Sequence, residues 1–298
     1  MEIAPAWLWA VFTVIAAAAQ TIRNATQRGL TTTIGTAAAT HVRFLFGLPF
    51  AIVFLAIVMI GRGAGLPHPP FAFWPWIIAG TATQIAATAL MLAAMSDRSF
   101  VVVYAYIKTE PVQVALFGLV FLGDVVTPGA AAAILIATAG VVSMALKPGT
   151  SADMKSTVLG LASGAMFAFS AVGYRGAILS LGLTDYVMAA TFTLTVGLFM
   201  IAVSLSFYLW MWQPKALAAI AAAWRPSLAA GFMGALASQF WYLAFAIATA
   251  ASVRTLALIE VLFAQAIASF VFKQRTTMRE RVGIVLIVIG VALLLWTH

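Results

Sequence analysis

The sequence predicts an all-α, polytopic membrane protein of ten transmembrane helices, arranged as two inverted five-helix repeats. Three observations lead to this prediction: an apolar composition, apolar runs of helix length, and a second half that repeats the plan of the first. Hydrophobic residues make up 64% of the 298-residue chain and charged residues only 8%. A soluble domain carries about 25% charged residues, so this chain cannot cover itself with a water-compatible surface.

The apolar runs favour helices over the strands of a membrane barrel. Most runs contain about 20 residues or more, which is the length that a helix needs to cross a hydrocarbon core of about 30 Å. Barrel strands would alternate apolar and polar residues over about ten positions, whereas these runs are nearly continuous. A helix also satisfies its own backbone hydrogen bonds where water is absent.

Ten spans follow in chain order from these runs. The most hydrophilic connection in the middle of the chain, KPGTSADMKS at 147–156, divides it into a first repeat at 1–148 and a second at 149–298. The predicted spans cover approximately Ala4–Arg28, Ile34–Ile60, Phe71–Met95, Ser99–Leu122, Thr127–Leu146, Thr157–Ser180, Thr184–Trp212, Pro226–Ala248, Ser252–Phe272 and Met278–Trp296.

The repeat is visible when the chain is shifted by 150 residues without a gap. Glu110 then falls on Glu260, and Gly140 falls on Gly290. Because each repeat holds an odd number of helices, the second copy enters the membrane upside down relative to the first. Inverted repeats with a binding site at their interface are a common plan of membrane transporters.

Loop charges predict the orientation. The loops after the odd-numbered spans hold most of the lysines and arginines, whereas the opposite face holds Arg62 and Arg254. Positive loop residues stay in the cytoplasm, so both termini are expected outside it, with the chain in a cell (inner or plasma) membrane. The net charge of +8 is therefore attributed to cytoplasmic loops beside the lipid bilayer, and no nucleic-acid partner is expected.

Polar side chains inside the spans are the best functional evidence, because an ionisable group costs about 3 kcal/mol at mid-bilayer and needs a partner or a wet cavity. Tyr104, Lys108 and Pro111 share one face of the fourth span, and Glu110 lies on another. Pro111 clashes with the preceding turn, which predicts a helix kink and a cavity beside Lys108 and Glu110. The predicted substrate-binding residues are Gln20, Gln84, Tyr104, Lys108, Glu110, Tyr174, Gln239, Tyr242, Arg254 and Glu260.

Two interpretations of these residues remain open. In the first, they pair with one another and hold helices together, as Lys108 would with a glutamate. In the second, they line a central polar cavity, where cations hold a carboxylate group and acids hold an ammonium group. A zwitterionic amino acid is a physically reasonable small-molecule substrate for such a cavity. Glu110 and Glu260 are also candidate sites for a coupling proton.

Other functional classes fit the residues less well. An intramembrane enzyme is not expected, because the chain has no HExxH, no GxSxG and no cysteine. A channel would tend to show rings of pore-lining polar residues or a filter loop. No cofactor or metal is predicted, since His41 has no second histidine or carboxylate at ligand spacing. A sugar-phosphate or nucleotide-sugar exchanger remains the main alternative, because Lys108, Arg175 and Arg254 supply cations.

Three motifs resemble the EamA branch of the drug/metabolite transporter superfamily. They are the run HVRFLFGLPFAIVFL at 41–55, the segment Thr109-Glu110-Pro111 followed by Gly123-Asp124, and the glycine-valine pairs at 140–141 and 290–291. The second copy departs from the pattern, with Val261 in place of the proline. Within this branch the chain is most similar to amino-acid exporters of the YddG type.

The resemblance implies a central cavity lined by helices one, three, four, six, eight and nine, and export of amino acids or similar metabolites. We therefore expect a secondary transporter that works by alternating access, in which the two halves rock about a site in the middle of the membrane.

Overall fold

The computed structural model describes residues 5, 7–97, 103, 106–145, 154–270, 273 and 277–297, and these residues form helices and no strand. The prediction of an all-α fold is thereby confirmed. In chain order the helices are α1 (Leu8–Ile34), α2 (Thr36–Leu45), α3 (Gly47–Arg62), α4 (Phe73–Asp97), α5 (Glu110–Leu122), α6 (Pro128–Ala145), α7 (Met154–Ser180), α8 (Tyr186–Trp212), α9 (Pro214–Ala222), α10 (Trp224–Ile247), α11 (Ala250–Leu256), α12 (Ile259–Phe270) and α13 (Met278–Thr297).

Within the described residues, six helical stretches are long and apolar enough to cross a membrane. They are Ala38–Arg62, Phe73–Ala94, Met154–Ser180, Tyr186–Trp212, Trp224–Ile247 and Met278–Thr297. The helices α5 and α6 are apolar but shorter. The chain therefore has the helix lengths and composition of a polytopic membrane protein, and the number of ten spans stays a prediction.

The exposed faces of these helices are apolar, as contact with lipid requires. On α13 the buried side is formed by Gly283, Ile287 and Leu294. On the opposite side, Val285 is 55% exposed and Val288 is 50% exposed. Large exposed apolar faces of this kind on a soluble monomer would drive association, whereas hydrocarbon accepts them.

Contacts divide the chain into two compact units. The first unit consists of Met1–Thr81 and Gly176–Ile247, and the second consists of Ala82–Arg175 and Ala248–His298. Each unit contains residues from both predicted repeats. These units are groups of packed residues, so they do not test the repeat boundary near residue 148.

In the first unit, α1 packs along α10, and α3 packs along α8. Glycine permits one close approach: a Cβ atom added to Gly231 on α10 would lie 2.6 Å from the carbonyl carbon of Phe46. Phe46 lies between α2 and α3, so the span predicted as the second helix consists of two helices. Buried small and branched side chains form the core around it, namely Leu30, Ala38, Ala39, Val42, Leu209, Ile220 and Ala230.

In the second unit, α6 and α13 make an extensive antiparallel contact. A Cβ atom added to Gly140 would lie 2.8 Å from the carbonyl oxygen of Gly283. One added to Gly290 would lie 2.8 Å from the carbonyl oxygen of Ala133. Small residues let two membrane helices approach until their backbones touch, which strengthens packing where lipid competes for apolar side chains.

Two predicted spans are interrupted in the second unit. In the fourth span a turn at Lys108–Thr109 precedes α5, with Pro111 in the first turn of that helix. Proline is tolerated there because the first amide groups of a helix have no intrahelical acceptor. The ninth span, predicted at about Ser252–Phe272, consists of two helices, because a turn at Ala257–Leu258 separates α11 from α12.

Candidate functional site

Two ion pairs connect the interrupted helices of the second unit. Lys108 Nζ contacts Glu260 Oε1, and Arg254 Nε lies 2.8 Å from Glu110 Oε1. Lys108, Glu110 and Glu260 are 8%, 6% and 4% exposed, so three of these charges are almost fully removed from solvent. The pairs are crosswise, because each segment supplies one cation and one carboxylate. We refer to these four residues as the four-charge cluster.

The local folding of the chain positions each charge beside a helix break. Glu110 lies in the first turn of α5, and Glu260 lies in the first turn of α12. Carboxylates are favoured at these ends by the positive pole of the helix dipole. Arg254 lies in the last turn of α11, where the negative pole favours a cation. Lys108 lies in the turn before α5, at the positive end of that helix, so its buried charge is stabilised by the Glu260 carboxylate and not by the helix dipole.

The cluster is balanced in charge, with two cations and two carboxylates. Burial of any one of them costs several kcal/mol, which the partner offsets only if it stays close. The Nε–H of Arg254 is not directed at Glu110 Oε1, so that contact is an ion pair without hydrogen-bond geometry. An arrangement that already holds both signs of charge can exchange an internal partner for an ammonium or a carboxylate group from a bound molecule.

Arg175 forms a separate contact in the second unit. Its Nε and Nη2 atoms donate to Asp124 Oδ2 and Oδ1 at 3.1 and 3.2 Å, and its Nη1 donates to the Ala248 carbonyl at 2.6 Å. Asp124 is brought into position by Gly123, whose φ of 69° closes α5 with a left-handed turn. The guanidinium therefore connects α7 to the end of α5 and to Ala248, the first residue of the second stretch of this unit.

Two further predicted residues lie in the second unit. Gln84 Oε1 accepts a hydrogen bond of 2.9 Å from Ser170 Oγ, which joins α4 to α7. Tyr174 is 6% exposed and is therefore buried. Tyr104 lies outside the described residues, and its role stays a prediction.

The remaining predicted residues lie in the first unit. Gln20 Oε1 accepts a hydrogen bond of 3.2 Å from Trp241 Nε1, which joins α1 to α10. Gln239 Nε2 donates to Thr191 Oγ1 at 2.8 Å, which joins α10 to α8. Tyr242 is buried on α10. The structure thus brings four of the ten predicted residues together as two ion pairs and gives Gln20, Gln84 and Gln239 contacts between helices.

Sequence reasoning missed several partners. Asp124 was named only within the Gly123-Asp124 motif, although an acidic residue beside a span is itself a signal for a counter-ion to Arg175. Thr191 and Ser170 gave no signal, because hydroxyl residues in membrane helices usually bond their own preceding turn. His41, for which no metal was predicted, is buried and lies 2.9 Å from Ser206 through its Nε2 atom.

Comparison with known proteins gives a fold and no family. No protein-family model matches the chain, and no curated protein matches it. A solved chain described as "Crystal structure of protein" superposes with a TM-score of 0.71 at 16% sequence identity, covering 97% of this chain and 99% of its own. At this identity the match shows a shared fold over nearly the whole length and carries no information on substrate.

Proposed function

We propose that the chain is a secondary transporter that exports amino acids across the cell membrane by alternating access. The observation that carries this proposal is the four-charge cluster, in which buried cations and carboxylates stand crosswise at two helix breaks. Interrupted membrane helices are the usual place for substrate and ion sites in transporters, because they offer polar groups within the hydrocarbon.

The chemistry of the cluster suits a zwitterion. An amino acid presents its ammonium and carboxylate groups on one carbon atom, so both can bind charges that lie close together. Its ammonium group would pair with Glu110 or Glu260 in place of the internal cation. Its carboxylate would pair with Lys108 or Arg254 in place of the internal carboxylate. Because the internal pairs re-form when the substrate leaves, the empty site does not strand buried charges. That property is needed by a carrier that must change conformation when empty.

Matching helix ends support the proposed arrangement of ten spans as two inverted repeats. The helices α3 and α8 end at Arg62 and Trp212, which are 150 residues apart. The same interval separates Pro128 from Met278, where α6 and α13 begin. The helices α1 and α7 both contain 27 residues.

The contact between α6 and α13 supports the same arrangement independently. Gly140 approaches Gly283, and Gly290 approaches Ala133. Each residue of the second contact is the equivalent of one in the first after a shift of 150 positions. Reciprocal contacts of this kind are what a two-fold axis between two copies produces. This reciprocity also agrees with the resemblance to the EamA branch, to which we assign the chain as part of the proposal.

The rival substrate class, phosphorylated or nucleotide-linked sugars, is less well supported. A phosphate group needs several cations that converge on it. Lys108, Arg254 and Arg175 each contact a carboxylate, namely Glu260, Glu110 and Asp124. A bound phosphate would therefore lie near carboxylates as well as cations, and the carboxylates would repel its negative charge.

The proposal is tested by counterflow in proteoliposomes that contain the purified protein. Vesicles loaded with an unlabelled amino acid should accumulate the same labelled amino acid from outside, and those loaded with a sugar phosphate should not. Exchange of phosphates alone would reject amino acids in favour of the rival. Repeating the assay with and without an imposed pH gradient would show whether protons, carried by Glu110 or Glu260, are coupled to transport.

The proposed location is the inner or plasma membrane, with both termini outside the cytoplasm. The excess of lysine and arginine in the loops after odd-numbered spans supports this orientation. The bilayer is then the main partner of the exposed apolar faces.

A further inference from the structure

We propose that the net charge of the four-charge cluster selects substrates whose own net charge is zero, so that neutral amino acids are carried and acidic or basic ones are rejected. This inference rests on the proposed function and names the substrate class of that same site. It starts from a count of charges: Lys108 and Arg254 contribute two positive charges, and Glu110 and Glu260 contribute two negative charges.

The physical reason is the high cost of an uncompensated charge in a buried place. A zwitterion that binds to the cluster leaves the total at zero, because it adds one charge of each sign and lets each find an opposite partner. An additional carboxylate or ammonium group on the substrate's side chain would be the one charge left unmatched, beside a cluster in which three of the four residues are only 4–8% exposed. The site would then reject a substrate that leaves one charge unpaired. The free-energy penalty of an unpaired buried charge is often larger than the gain from an added attractive contact.

Single substitutions in the four-charge cluster should change the net charge of the substrate that it prefers. Replacing Glu260 by glutamine leaves the cluster with a net charge of +1, which would match a substrate with a net charge of −1. Replacing Lys108 by methionine leaves a net charge of −1, which would match a basic amino acid. Making both changes together restores zero. The sign of the preference should therefore follow the sum of the charges and not the identity of the residue changed.

The experiment measures competition in counterflow with labelled leucine, using excess unlabelled leucine, glutamate or lysine. In the wild type, leucine should compete at least about tenfold better than glutamate or lysine, which corresponds to about 1.4 kcal/mol of differential binding. Glu260→Gln should shift the ratio of glutamate to leucine competition upward by about tenfold, and Lys108→Met should do the same for lysine. The double variant should return to the wild-type order.

Two further variants separate the inference from general damage. The exchange Lys108→Glu with Glu260→Lys keeps the pair and the sum, so leucine should remain preferred. Arg62→Gln serves as the matched control, because it removes one charge from an ion pair with Asp185 in the first unit and leaves the cluster unchanged. Its order of preference should equal that of the wild type.

The outcomes distinguish this inference from the proposed function. A wild type that exchanges no amino acid would reject the proposed function itself. A wild type that exchanges leucine, but for which glutamate and lysine compete equally well, would overturn the inference and leave the function standing, even if the variants failed to fold. Folded single variants that still exchange leucine, even at a lower rate, without any change in preference would overturn it as well.

Discussion

Lys108 and Glu260 form a buried ion pair although 152 residues separate them in the chain. The pair joins the turn that precedes α5 to the first turn of α12, so it spans both helix breaks of the second unit. Arg254 and Glu110 repeat the connection in the opposite sense. In the proposed mechanism these pairs open to admit a substrate, so the stability of the protein and the proposed transport would depend on the same atoms.

Removing Lys108 alone should therefore destabilise the protein more than removing the whole pair. In Lys108→Met the Glu260 carboxylate loses its ammonium partner, and we expect a loss of about 3–5 kcal/mol in the free energy of unfolding. Adding Glu260→Gln to that variant should recover most of the loss. Thermal unfolding of the purified protein in detergent measures both. Equal and additive losses from the two substitutions would contradict a coupled pair.

Glu110→Gln should impair transport of neutral amino acids while leaving the protein folded. The amide keeps the shape of the side chain but not the charge that would hold an ammonium group or a proton. Counterflow of labelled leucine, compared with size-exclusion profiles of the same preparations, measures the two effects separately. Wild-type transport rates in this variant would move the binding site away from α5.

Gly140→Ala should lower the thermal stability of the protein, because the new Cβ would lie 2.8 Å from the Gly283 carbonyl oxygen. Overpacking of this kind costs about 1–3 kcal/mol. Gly61→Ala in α3 is the matched control, since a Cβ there would meet no atom within 4 Å. In the control, alanine should be neutral or stabilising by about 0.5–1 kcal/mol. Equal effects at the two positions would show that α6 and α13 do not depend on close approach.

Arg175→Lys should destabilise the second unit even though the positive charge is kept. The guanidinium makes three hydrogen bonds, two to Asp124 and one to the Ala248 carbonyl, in a planar fork that an ammonium group cannot reproduce. We expect a loss of about 1–3 kcal/mol, measured by thermal unfolding. Lysine that restored wild-type stability where methionine did not would show that charge alone matters at this position.

Single cysteines can test the orientation, because the natural chain contains none. Lys215→Cys in α9 should lie on the cytoplasmic side, and Leu66→Cys in the loop after α3 should lie outside. A membrane-impermeant maleimide should label Leu66→Cys in intact cells and Lys215→Cys only after permeabilisation. The cysteine-free parent protein is the blank. The reverse pattern of labelling would invert the proposed orientation.

The fold class and many helix ends were predictable because length and apolarity decide them in a membrane. The tenth predicted span, Met278–Trp296, differs by one residue from α13, Met278–Thr297. The turn at Ala257–Leu258 was not predictable, since no proline or glycine marks it. It is closed by local bonds such as Leu258 N–H to Thr255 O at 3.1 Å, whose presence depends on tertiary packing. The short helix α9 was missed because its alanine-rich sequence is too short for a span.

The charged residues of the candidate site were predictable, but their partners were not. An ionisable group inside a span is conspicuous in the sequence, which singled out Lys108 and Glu260. Which cation meets which carboxylate depends on the register between helices more than a hundred residues apart. The sequence left pairing and substrate binding as alternatives, and the ion pairs satisfy the first without excluding the second. Tyr104 and the predicted cavity stay predictions.

Three helix pairs described above each have one member before residue 148 and the other after it: α1 with α10, α3 with α8, and α6 with α13. A chain divided at that point would yield two fragments, each holding surfaces whose complements were made on the other. Neither fragment should then accumulate stably by itself, whereas co-expression of both should restore the folded protein by complementation.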